Sequence, residues 1–197
     1  MTDRRADIIA ELERGCEDSG AFFKSLTAEE LTVQVYQDGA KWTAKQVLAH
    51  FITIERSMHW LFKNISSGGS GSPEDFDIER FNRTQTSKLD GLTLAELVSQ
   101  FRAAREDTIT IVRELSEEDL DSEGLHAFPG HGKLEKFIRW VYEHARIHEN
   151  EIRQALGWYH SCTRHPSLSI HGRCYLQFRW VIYPVKCGAY LTGVCQK

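Results

Sequence analysis

The sequence has no long apolar run, no surplus of basic charge and no CxxC pair. Without a stretch of about eighteen apolar residues it offers no membrane-spanning helix. A net charge of −4 argues against a general nucleic-acid binder, which is usually basic. The opening residues MTDRRADIIAELERG place charges where an export signal needs an apolar core, so a cytoplasmic location is expected. The five cysteines (Cys16, Cys162, Cys174, Cys187 and Cys195) are odd in number, and free thiols are expected rather than a disulfide framework. The missing CxxC argues against a zinc ribbon. Acidic residues are absent beyond position 159. Residues 1–159 hold all 28 of them with 19 of the 24 basic residues, a balance of −9, whereas 160–197 hold five basic residues and no acid. This shift marks a boundary, dividing the chain into a domain over 1–159 and a C-terminal tail over 160–197.

The 197 residues, 41% hydrophobic and 26% charged, suit a single globular domain. A chain of this length can bury a core without a metal, so any metal serves chemistry rather than folding. Apolar residues recur at helical spacing in four segments. The first runs from Arg4 to Leu26 with Ile8, Leu12, Phe22 and Phe23. The second opens on a capping box, Thr43 with Gln46, and carries Val47, Leu48, Phe51, Ile54, Met58, Leu61 and Phe62. Asn64 to Pro73, rich in glycine and serine, reads as a flexible linker, and Phe76 to Asn82 as a short helix. The third segment opens on another capping box, Thr93 with Glu96, and carries Leu97, Phe101, Ala104, Ile111 and Leu115. The fourth spans Lys133 to Leu156 and ends at Gly157, a fitting C-cap. With no convincing strand and no internal repeat, the expected fold is all-α, a four-helix bundle with a long crossover after the second helix.

His144 and His148 are four apart and share one helix face. They sit in the stripe Phe137, Val141, His144, His148, Ile152, where an unpaired polar ring is costly. His50 lies in the inner stripe of the second helix between Val47 and Ile54. A lone buried histidine is usually a satisfied core residue, but one divalent ion would satisfy three on facing stripes at once. His50, His144 and His148 are therefore the candidate metal ligands. Three neutral imidazoles leave an open position on the ion, which is the catalytic arrangement. Ala145 stands where a zincin needs its general-base glutamate, so a metalloprotease is disfavoured. No catalytic base is assigned. His59 is expected to be exposed, His126 and His131 to be solvated loop residues, and Glu143, Arg146, Glu149 and Arg153 to form a charge-paired surface. A supporting role for Glu149 or Glu55 behind the ligands is the alternative.

Trp42-Thr-Ala-Lys-Gln-Val-Leu-Ala-His50 resembles the start of the second helix of the DinB-like family of metal-binding bundles. Tyr142-Glu-His144-Ala-Arg-Ile-His148 with the following Ile152-Arg-Gln-Ala-Leu156 is similar to its fourth helix, and Phe76 to Asn82 to a segment after its crossover. The resemblance covers about residues 5–157. It implies a four-helix bundle with a long crossover and a nickel, zinc or similar ion on His50, His144 and His148. It also implies a small-molecule substrate, and either transfer of a thiol cosubstrate to an electrophile or hydrolysis. A non-catalytic metal- or ligand-binding module of stress response stays open beside it. Relatives are often homodimers; Trp60, Trp140 and Trp158 are the aromatics available as surface anchors, and each fits a core as well. For the tail two readings stand: a genuine strand-rich extension, or a stretch that is not native-like, such as an out-of-frame translation. In neither does a metal ligand or catalytic residue lie beyond 160, although His160, His165, His171 and the cysteines there can take up metal adventitiously.

Overall fold

The computed structural model describes residues 3–37 and 39–158, so the tail lies outside the described residues. Among the described residues six α-helices form: α1 Arg4–Ser25, α2 Ala28–Leu31, α3 Ala44–Ser66, α4 Ile78–Ser87, α5 Leu94–Glu114 and α6 Leu134–Ala155. Local chemistry sets their ends. Asp3 caps α1 by accepting from the backbone of Arg5 and Ala6. Thr27, Thr43 and Thr93 each close a reciprocal capping box with the residue three positions on, opening α2, α3 and α5. After α6, Gly157 takes φ +73°, the left-handed conformation that glycine reaches at least cost.

The four long helices form a four-membered bundle. α1 packs on α5 and α6, and α3 packs on the same two, while α4 lies against α3. Arg56 reaches Gln100 and His59 reaches Thr108, so α3 and α5 run parallel, and residues 67–93 must return the length of the bundle. α1 and α6 also run parallel, from Arg4 beside Glu135 to Ser19 beside Glu149. Apolar stripes meet in two clusters. One gathers Ile8, Leu12, Met58, Phe62, Phe137 and Val141; the other gathers Phe22, Phe23, Leu48, Phe51, Phe101 and Ile152.

Two expectations need correction. The chain before α6 is not strand-free: β1 Glu123–His126 and β2 Gly130–Lys133 pair antiparallel, with Leu125 opposite His131. The glycine–serine stretch after α3 is not a free linker either. Its first residues extend α3, and Gly71 then lies alongside β1. Leu125 donates to the Ser70 carbonyl, Ser72 donates to the Leu125 carbonyl, and the Asn64 side chain accepts from the Gly71 N–H. Gly71 holds φ +91°, and a Cβ there would stand 2.2 Å from the Leu125 oxygen, so only glycine fits. The composition that looked like flexibility is a requirement for close backbone approach.

Candidate metal centre

α3 and α6 bring the three predicted histidines together. One ring nitrogen from each of His50, His144 and His148 lies within 4.8 Å of the other two. His144 Nε2 is 3.4 Å from His50 Nε2 and 2.8 Å from His148 Nε2. Three imidazole nitrogens thus converge on one point with no carboxylate among them. Two nitrogens bound tetrahedrally to zinc at about 2.0–2.1 Å sit about 3.3 Å apart. The observed spacings bracket that value, so the donor set fits a divalent ion after a small separation of His144 and His148.

Aromatic rings back each imidazole. Trp42 lies 4.5 Å from the His50 ring, Trp140 is stacked on His144 at 4.4 Å and Tyr36 meets His148 edge-on at 5.9 Å. Phe51 closes the cluster beneath His144 and His148. Burial among these rings pushes His50 and His144 well below the usual imidazole range, and the neighbouring His148 adds to the effect on both. Both are therefore neutral near pH 7, the state in which an imidazole can bind a metal.

Behind His148 stands a pair that the sequence reading did not single out. Glu151 lies 2.8 Å from His148 Nδ1 and accepts from the Tyr36 hydroxyl at 2.7 Å. Burial raises the Glu151 carboxyl, but the contacts with His148 and Tyr36 more than offset this and hold it below the usual range. The spacing of Glu151, three residues after His148, was a legible signal. Tyr36, in the segment before α3, was not.

The other candidates fall elsewhere. Glu149 is buried rather than solvated: it accepts from Ser19 at 2.5 Å, and burial raises its carboxyl. Glu55 is buried in an ion pair with Arg105 and is not among the residues whose ligand atoms converge. Glu143, Arg146 and His131 are exposed, as expected. His59 is half-buried, its Nε2 between the Ala104 carbonyl and the Thr108 hydroxyl. Trp60 is 57% exposed and Trp158 is also exposed, whereas Trp140 belongs to the site.

His126 departs furthest from expectation. It is 2% exposed, packed against Phe137 and Trp140, and its Nδ1 accepts from the Phe128 N–H at 3.0 Å. Its Nε2 is buried with no hydrogen-bond partner among the described residues. Burial lowers its pKa from 6.5 to about 4. The unfolded chain therefore binds the extra proton first, and stability present above pH 6.5 is lost as pH falls towards about 4. The share carried by His126 is on the order of 3 kcal/mol. Urea midpoints of the metal-free chain between pH 7 and 4 should show this fall, and His126→Phe should flatten it. An unchanged slope in the variant would contradict the assignment.

Among the described residues no helix is long and apolar enough to cross a membrane. No curated protein matches the chain by sequence. The sequence pattern of the DinB superfamily matches residues 7–152. Among solved structures the chain is similar to YfiT of Bacillus subtilis, described as a probable metal-dependent hydrolase with an unusual four-helix bundle topology. The TM-score is 0.63 at 13% identity, over 81% of this chain and 90% of that one. It is also similar to a mycothiol-dependent maleylpyruvate isomerase, with TM-score 0.63 and 13% identity, over 77% of this chain and 63% of that one.

Proposed function

The chain belongs to the DinB superfamily, and from that premise we propose that it is a metal-dependent enzyme acting on small electrophiles by thiol transfer or hydrolysis. The observation that carries the proposal is the convergence of the His50, His144 and His148 ring nitrogens within 4.8 Å. All three donors are imidazoles, a set that suits zinc or nickel better than a hard cation such as magnesium. A bound ion supplies Lewis acidity, lowering the pKa of a water or thiol at its open position. The protein supplies the rest. Burial holds His50 and His144 neutral, and Trp42, Trp140 and Phe51 pack against the imidazole rings and fix their orientation. The family's crossover corresponds, in this reading, to the returning segment 67–93.

One observation favours the alternative of a non-catalytic binding module. The void that touches His144, lined by Phe51, Ile54, Glu55, Phe101, Arg105 and Val141, has no room for a molecule the size of water. Ligand pockets usually begin at roughly 300 Å³.

Full-length protein purified without a histidine tag tests the metal reading. Incubation with zinc or nickel should leave close to one ion per chain above the His144→Ala background. A difference near zero overturns it. Turnover of a model electrophile with mycothiol, bacillithiol or glutathione then separates enzyme from binding module, and silence in thiol and hydrolase screens alike favours the module.

A further inference from the structure

Glu151, Tyr36 and His148 close a triangle of polar atoms on the side of His148 away from the cluster. The Tyr36 hydroxyl donates to Glu151 Oε2 at 2.7 Å, Glu151 Oε2 lies 2.8 Å from His148 Nδ1, and the hydroxyl oxygen also touches that Nδ1. The single hydroxyl proton goes to the carboxylate. The contact between carboxylate and Nδ1 is then attractive only when Nδ1 carries a proton, because two lone pairs 2.8 Å apart repel. With its proton on Nδ1, a neutral His148 keeps a free lone pair on Nε2, the nitrogen that faces His144 Nε2 at 2.8 Å. His50 has no such support: its Nδ1 is buried without a hydrogen-bond partner among the described residues.

We propose that Glu151, braced by Tyr36, is a positioning residue that fixes the tautomer of His148 and aims its Nε2 lone pair into the three-histidine cluster. His148 is then the ligand set before any ion arrives, and the other two imidazoles adapt to it. Glu151 follows His148 by one turn of α6, whereas Tyr36 comes from the segment between α2 and α3. The brace therefore ties that segment to the site across 112 residues of sequence. A carboxylate behind a ligating imidazole also raises its basicity, and losing such a partner typically costs about 10–100-fold in metal affinity. The affinity consequence rests on the metal reading above; the tautomer does not.

The test has two arms on the full-length chain. In metal-free, nitrogen-15-labelled protein at pH 8.5, His148 should show a protonated Nδ1 and an unprotonated Nε2. Glu151→Ala should abolish that preference, while Glu151→Gln, whose amide oxygen still accepts, should keep it. In zinc titrations Glu151→Ala should bind about 10–100-fold more weakly, with smaller losses for Glu151→Gln and Tyr36→Phe. A protonated Nε2 in the wild type overturns the proposal, as does a tautomer and affinity unchanged in Glu151→Ala. If Glu151→Ala fails to fold, the decision falls to Glu151→Gln and Tyr36→Phe, and full affinity in both overturns the proposal. A wild type that binds no zinc yet shows the expected tautomer and its loss in Glu151→Ala sinks the metal reading and upholds the positioning.

Discussion

Alanine in place of His144 is expected to abolish tight zinc or nickel binding while leaving the metal-free chain folded. His144 sits between the other two candidate ligands, with its Nε2 3.4 Å from that of His50 and 2.8 Å from that of His148. Its removal leaves two donors, and the loss in affinity should exceed the roughly 100-fold upper range for an outer partner. The fold should tolerate the change because the core does not depend on the site. Ile8, Leu12, Phe23, Leu48, Phe62, Phe101 and Phe137 are wholly buried without reference to a metal. Competition with a chelating dye measures the first effect, and thermal melting of the metal-free variant measures the second. Undiminished affinity would remove His144 from the ligand set. A wild type that unfolds on chelation would make the ion structural rather than functional.

A second large effect is expected at the buried ion pair between α3 and α5. Glu55 and Arg105 are each 1% exposed. Arg105 Nη2 donates to Glu55 Oε2 at 3.0 Å, and Nε lies 2.8 Å from Oε1, a charge contact without hydrogen-bond alignment. The Thr108 hydroxyl donates to Glu55 Oε1 at 2.7 Å, and Arg105 Nη1 donates to the Leu12 carbonyl at 3.3 Å. Removing one partner strands the other charge in the core, so Glu55→Ala should cost about 3–5 kcal/mol. Replacing both, Glu55→Leu with Arg105→Met, should recover most of that, because two apolar side chains need no partner. Urea denaturation of the single and double variants forms the cycle. A cost below about 1 kcal/mol for the single variant would mean that water reaches the pair and screens it.

What the sequence showed of this bundle was what lies within a few residues of itself. Thr43 with Gln46 and Thr93 with Glu96 mark helix starts because both halves of a capping box sit in one turn. The three-histidine cluster was legible because a histidine in an apolar stripe contradicts its surroundings, and three such contradictions on two facing helices point to one cause. The hairpin was hidden because Glu123-Gly-Leu-His126 and Gly130-His-Gly-Lys133 lack β-branched residues; pairing with each other and with Gly71 makes them strands. His126 looked solvated because nothing nearby in sequence shows that Phe137 and Trp140 will cover it. Glu55 shares its helix with no cation able to neutralise it in the core, and its partner lies 50 residues away. For Glu55 and His126, whose partner or cover is distant in sequence, local pattern alone did not show burial.

The packing order has a consequence for biosynthesis. Among the described helices α1 leaves the ribosome first, and its packing partners α5 and α6 leave last. Arg4 then closes on Glu117, Asp121 and Glu135, contacts that span more than 110 residues. Until α5 and α6 emerge, the apolar face of α1 with Ile8, Leu12 and Phe23 has only α3 to meet it, and such partly exposed surface engages chaperones. Because the contacts that close the bundle are so distant in sequence, a translational pause before α5 would prolong that exposure, whereas one after α6 would not.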